Sequence, residues 1–171
     1  VEVPEDIQKI INGPITGFEK YIGSHVKPFD SVDDISADEL VLIAVFSEAG
    51  LSQRDGSLQL RYEDLNSCLC TVFGQGDYLQ LRNSSFYKPS SGLFEFEQGD
   101  FTYLERRFVL VCEGYEKKGN IVKIKLSKYL YENSWMANGI FAYTRGYELK
   151  ETDGVYHITR IVDYIKVDNS Y

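Results

Sequence analysis

Between Arg106 and Lys166 apolar and polar residues alternate with a period of two, in four runs: Phe108 to Cys112, Ile121 to Leu126, Ile140 to Leu149 and Val155 to Ile165. Successive side chains of an extended chain point to opposite faces, so this period predicts strands with one buried face. Turn residues separate the runs, Lys118-Gly119-Asn120 between the first two and Asp153-Gly154 between the last two. Both suit tight hairpins, so the segment predicts an antiparallel meander of four strands. Shorter alternations at Tyr78-Leu79-Gln80-Leu81-Arg82 and Leu93-Phe94-Glu95-Phe96-Glu97 predict two more strands, the second breaking at Gln98-Gly99-Asp100. Tyr131 to Gly139 reads as an irregular joint.

Upstream the apolar spacing lengthens to that of helices. Ile7, Ile10, Ile11, Ile15, Phe18 and Ile22 draw one stripe on an amphipathic helix, which Gly13-Pro14 should kink or split. Gly23 to Ser31 is a connector held extended at Lys27-Pro28. Ser36 with Glu39 forms a capping box ahead of Leu40 to Phe46, apolar all round, with Gly50 as the stop. That helix should be the most buried. Leu51 to Leu60, with Arg54-Asp55-Gly56, is a loop containing at most a short extended piece. A third helix is predicted from Tyr62 to Phe73, with Leu65, Leu69, Val72 and Phe73 inward and Gly74 as its end. Helices first and strands after, with no linker between, indicate one α+β domain over residues 1–171: helices about 4–74 packed on one face of a curved antiparallel sheet about 77–167.

A formal net charge of -8 removes nucleic acid and anionic membrane from the expected partners, since both need clustered cations. One local basic cluster, Lys117, Lys118, Lys123, Lys125 and Lys128, falls on a hairpin, where edge lysines block pairing between sheets. No apolar run reaches the length of a membrane span. A chain starting at Val1 fits a trimmed secreted or lipid-anchored protein, and equally a cytoplasmic one. Cys68, Cys70 and Cys112 have neither disulfide nor zinc spacing and are expected as free thiols. Asn83-Ser84-Ser85 matches a glycosylation sequon, a pattern short enough to recur by chance.

Candidate chemistry is sparse. His25 is expected on a surface loop, and His157 stands on the last strand in phase with Thr159, Ile161 and Asp163. His157 and Asp163 are roughly 20 Å apart along one strand, too far to act as a base and its orienter. Asp30, Asp33 and Asp34 lack the glycine and distal glutamate of a calcium loop, and no phosphate-cradling glycine motif occurs. Glu95 and Glu97 oppose Phe94 and Phe96 on their strand and should face water. No metal or cofactor is expected.

Aromatic placement remains. Phe141, Tyr143, Arg145, Tyr147 and Leu149 share one face of the third meander strand, and Tyr156, Ile158, Arg160, Val162 and Tyr164 one face of the last. A Tyr-Arg-Tyr face can line a groove that stacks on a sugar, a peptide or cell-wall material. The simpler reading is a solvent-facing sheet stabilised by cross-strand pairs. Trp135, with Met136 beside it, is the loop candidate for ligand contact, or else a local plug. The candidate ligand-binding set is therefore Tyr143, Arg145, Tyr147, Trp135 and His157.

The stretch Tyr62-Glu63-Asp64-Leu65-Asn66 through Thr71-Val72-Phe73-Gly74 resembles the helix ending in Phe-Gly of small extracytoplasmic lipoproteins of Gram-positive bacteria. The Asp153-Gly154 hairpin with its final strand is similar to the closing hairpin of cystatin-like and NTF2-like α+β domains. The first likeness covers about a dozen residues and the second about thirty. This chain departs from the NTF2-like pattern by interposing Tyr78 to Phe96 before the meander. The resemblance implies an envelope-facing, extracytoplasmic domain, lipid-anchored in some forms, whose curved sheet wraps its helices. The expected function is a non-catalytic binding or interaction module of the cell envelope, with an envelope component or a protein as partner. The alternative is a small NTF2-like enzyme with a pocket between helices and sheet, using His157 or a buried acid. A homodimer built through exposed sheet faces is a further expectation.

Overall fold

The N-terminal stripe forms three consecutive helical pieces in the computed structural model: α1 (Glu5–Ile10), a π turn (Ile11–Ile15) and α2 (Thr16–Tyr21). Pro14 lies inside the π turn, and Ile7, Ile10, Ile11, Ile15 and Phe18 are all buried. Proline has no N–H to give and its ring clashes with the carbonyl four residues back, so the turn widens. The Thr16 hydroxyl takes up the slack, donating to the Ile11 carbonyl five residues back at 2.6 Å. The sequence expected a kink or a split here, and a single wide turn absorbs the strain.

The structure describes residues 2–21, 27–47, 58–97, 107–131 and 139–165. Expectations at Ile22, His25, Gly50, Arg54-Asp55-Gly56, Gln98-Gly99-Asp100, Trp135 and Met136 lie outside those residues. After Lys27-Pro28, Phe29 pairs with Ile161 in both directions at 3.1 and 3.0 Å. A short 3₁₀ turn (Val32–Asp34), capped by Ser31, leads into α3 (Ala37–Ser47). The Ser36 hydroxyl accepts from the Glu39 N–H, and Leu40, Val41, Ile43, Ala44 and Val45 are buried. Asp38, in the first turn of α3, accepts from the Ser84 hydroxyl at 2.6 Å and from the Ser85 N–H at 2.8 Å. Those bonds, the Ser84 one foremost, hold its carboxyl below the usual range. The sequon is thereby tied to α3.

The third helix, α4, spans Tyr62–Phe73 as its spacing predicts, with Leu65, Cys68, Leu69 and Phe73 buried. Gly74 ends it at φ 106°, ψ 168°, a conformation open almost only to glycine. Gly74→Ala should therefore cost about 1–3 kcal/mol. A urea melt measures the loss, and wild-type stability would show that the turn relaxes without strain.

The fold is α+β, with two antiparallel sheets rather than the single one expected. The smaller has the order β1 (Leu58–Leu60), β3 (Leu93–Phe96), β2 (Tyr87–Lys88), and Phe94 and Phe96 turn inward while Glu97 is exposed. The segment Tyr78–Arg82 is no strand: Leu79–Asn83 form a 3₁₀ helix with Leu81 buried and Leu79 exposed. In five residues, inward positions two apart and three apart are hard to distinguish; Tyr78 and Leu81, three apart, face the core.

The larger sheet is the meander β4 (Arg107–Lys118), β5 (Ile121–Tyr131), β6 (Ile140–Thr152), β7 (Val155–Ile165), in that order. Asp153 and Gly154 both have positive φ, as a I′ turn needs, and Gly119 alone does so at the β4–β5 hairpin. Four register breaks interrupt the ladders. One skips Glu113 on β4, one skips Ala142 on β6, and two skip Thr159 and Tyr164 on β7. Each extra residue re-aims the side chains beyond it. Hence Ile158 and Ile161, three apart, are both buried, and Arg160 leaves the face expected for it to pair with Asp30 at 2.7 Å. Buried residues of the helices and of both sheets form one continuous cluster.

Candidate functional site

The inward face of the large sheet carries Val122, Ile124, Leu126 and Lys128 on β5, opposite Leu149, Tyr147, Arg145 and Tyr143 on β6. The Tyr-Arg-Tyr face is thus turned to the core rather than to water. Opposite it, α2 brings Glu19 on the same stripe as Ile15 and Phe18. Glu19, Lys128 and Arg145 are only 2%, 3% and 5% exposed. Lys128 is therefore no edge lysine: β5 is an inner strand, and Lys128 occupies the next inward position after three aliphatic residues.

Charge is balanced in this pocket of the core by two acids and two bases. Lys128 Nζ donates to Glu19 Oε2 at 2.8 Å and to the Glu19 carbonyl at 3.1 Å. The hydroxyls of Tyr143 and Tyr147 both donate to the Glu19 carboxylate. Arg145 Nη1 lies 3.8 Å from Glu19 Oε1, and its Nε donates to Asp163 Oδ1 at 2.8 Å. The Arg145 guanidinium also stacks over the Tyr143 ring at 4.2 Å, and Lys128 sits over Phe108 at 4.6 Å. Burial, with the Glu19 charge beside it, pushes the Tyr143 hydroxyl far above its ordinary range, so it stays a protonated donor. Among the described residues no buried side-chain nitrogen or oxygen lacks a hydrogen-bond partner. Such a saturated cluster clamps α2 to the sheet.

A second feature is open. Between the outer face of α4, the chain after Gly74 and the β6–β7 turn lies a cleft of about 850 Å³, bordered by Tyr62, Asn66, Cys70, Arg82, Asp153 and His157 among others. Its rim is fixed by Asn66, whose amide donates to the Gly76 carbonyl at 3.0 Å and accepts from the Tyr78 N–H at 2.9 Å and the Tyr62 hydroxyl at 3.2 Å. Tyr78 OH closes the loop on the Gly74 carbonyl at 2.6 Å, and burial raises that hydroxyl to about 12. Arg82 stacks over the Tyr62 ring at 4.7 Å. His157 Nδ1 lies 3.3 Å from the Thr71 carbonyl. A neutral imidazole must donate from that nitrogen, which leaves the Nε2 lone pair available.

The candidate residues therefore separate. Tyr143, Arg145 and Tyr147 converge on Glu19 in the core; His157 borders the cleft; Trp135 lies outside the described residues. Glu19, Lys128 and Asp163 are not among the site residues that the sequence points to, nor are Tyr62, Asn66 and Arg82. A single acid inside the Ile15–Phe18 stripe, and a lysine continuing the Val122-Ile124-Leu126 row, were the available signals. Among the described residues no group of three His, Cys, Asp or Glu is arranged to hold a metal, and the three cysteines are unbridged. No helix among them is long and apolar enough to cross a membrane. Comparison with protein-family models, curated proteins and solved structures finds no match. Among the described residues the molecule offers an α+β scaffold with a locked core cluster and a cleft over α4 lined by polar and apolar surface together.

Proposed function

We propose that this chain is a non-catalytic binding module of the bacterial cell envelope, and that the cleft over α4 is its ligand seat. The observation that carries the reading is the contrast between the two polar regions. The buried polar atoms of the cluster around Glu19 all have hydrogen-bond partners, whereas the cleft is roomy, lined by polar and apolar surface together, and pre-organised by Asn66. Pre-organisation lowers the ordering cost of binding. The guanidinium of Arg82 on the Tyr62 ring supplies a planar, partly apolar wall suited to a sugar ring or a peptide plane. The extracytoplasmic placement rests on the lipoprotein-like helix ending in Phe73-Gly74.

Titration of the full chain with soluble peptidoglycan fragments, followed by amide chemical shifts, tests this. Saturable shifts are expected along Tyr62–Thr71 and Thr152–His157, and Arg82→Ala should weaken binding about two- to fivefold. Absence of shifts with any fragment, together with a cytoplasmic location of the full-length product, would remove the reading. The NTF2-like enzyme alternative gains one observation: a buried acid, Glu19, does stand between helix and sheet. It would need space for a substrate where Lys128, Tyr143, Tyr147 and Arg145 already converge.

A further inference from the structure

The two edges of the large sheet are treated differently. On β7 the chain itself adds a partner, Phe29, against Ile161. On β4 no described residue pairs with the outer edge. An unpaired edge strand is a template for another strand unless charges, bulges or a covering segment blunt it. The far half of β4 is blunted, by the break at Glu113 and by Glu116, Lys117 and Lys118. Among the described residues none pairs with the outer edge of the near half, and no break falls in its run Arg107 to Cys112. Its outward row runs Arg107, Val109, Val111, Glu113, all exposed, with Val109 at 46% and Val111 at 42%. Beside that row, half-buried, stand Tyr129 and Phe141, ring on edge at 5.7 Å.

The order of charges in the row decides what fits it. A positive residue, two valines and a negative residue are self-complementary when the strand meets a copy of itself running the other way. With Leu110 opposite Leu110, Val109 faces Val111, Phe108 faces Cys112 and Arg107 faces Glu113, each pair occurring twice about the two-fold axis. Directly opposed residues share a face, so the four valines meet on the outward side with an opposite-charge pair at either end. An isologous contact of this kind requires that symmetry and no second surface. A shift of the pairing by one residue would put the valines against the inward row, so burial of the apolar patch selects this register.

We propose that the near half of β4 is the homodimer interface of this protein, two copies pairing antiparallel about Leu110 to make one continuous eight-stranded sheet. The contact is small, of the weak and reversible class, because the break at Glu113 and the lysines beyond it end the pairing. The edge, and not the inward face bearing Tyr143, then carries self-association.

Sedimentation velocity on the full chain between about 1 μM and 1 mM spans the range of such contacts. A concentration-dependent dimer is expected. Arg107→Glu and Glu113→Arg, each alone, oppose like charges twice per dimer and should leave monomers. An equimolar mixture of those two single variants restores both opposite-charge pairs and should sediment as a heterodimer. Both side chains are exposed, and circular dichroism verifies that each variant is folded. Monomer at every concentration of the unmodified chain overturns the proposal. So does a dimer indifferent to either single exchange, or a mixture that stays monomeric.

Discussion

Glu19→Ala is expected to destabilise the protein by about 3–5 kcal/mol, the loss found when one partner of a buried ion pair is removed. The carboxylate is buried and serves Lys128, Tyr143, Tyr147 and, at longer range, Arg145. Its removal leaves the Lys128 ammonium without its countercharge, held by the backbone carbonyl of residue 19, and takes the acceptor from two buried hydroxyls, whose desolvation is then uncompensated. The effect should read as a drop in melting temperature of roughly 2–4 °C per kcal/mol for a chain of this size. The double variant Glu19→Leu with Lys128→Met tests the cause. Deleting both charges removes the uncompensated ion, so much of the lost stability should return, with a coupling energy well above the scatter of independent sites. If Glu19→Ala melts near the wild type, the acid is not the anchor of α2. If the double variant is no better than the single, charge compensation is not the reason.

The second large effect concerns Phe73, for which truncation to alanine should cost about 3–5 kcal/mol. The residue is only 7% exposed, and its ring meets Phe29 edge to face, with centroids 5.9 Å apart. Phe29 is the residue whose backbone bridges Ile161 on the edge of β7. Phe73 thus does two things at once: it closes the C-terminal turn of α4 over the core, and it backs the segment that covers a strand edge. Phe73→Leu keeps most of the volume and should lose far less. Urea melts of both variants give the comparison, and equal losses would place the cost in the aromatic contact rather than in the cavity. Hydrogen exchange adds a local check, since the Ile161 and Phe29 amides should lose protection in Phe73→Ala before the β5–β6 ladder does.

What could be read in advance was whatever depends on neighbours in the chain. The bounds of α4, the glycine that ends it, the Ser36 cap, the apolar run Leu40 to Phe46 within α3 and the Asp153-Gly154 turn all follow from backbone preferences and short-range spacing. Even Pro14 announced its disturbance, though a π turn rather than a break was the outcome. Where the local signal was too short it failed, as at Tyr78–Arg82, which turned out 3₁₀. It failed again at the bulges. One skipped residue on β7 moves Arg160 to another face, and nothing in the run Tyr156 to Tyr164 marks Thr159 as the residue to be skipped.

The site shows the same division more sharply. Tyr143, Arg145, Tyr147 and Leu149 were correctly grouped on one face by the period of two, which belongs to the strand alone; Phe141, expected on that face, is turned outward beside Tyr129 by the break at Ala142. Which way that face looks was settled by α2, and Glu19 lies 109 residues from Lys128 and 128 from Tyr147. A buried charge is tolerable only with its partner in place, and the partner is supplied by packing, not by proximity in the chain. Sequence alone therefore determined the α+β class, most of the meander and its hairpins, because turn chemistry and periodicity are local. Tertiary structure decided that the Tyr-Arg-Tyr face is a core clamp, that His157 borders a cleft and that no described residue pairs with the outer side of β4, because each depends on which surfaces burial brings together.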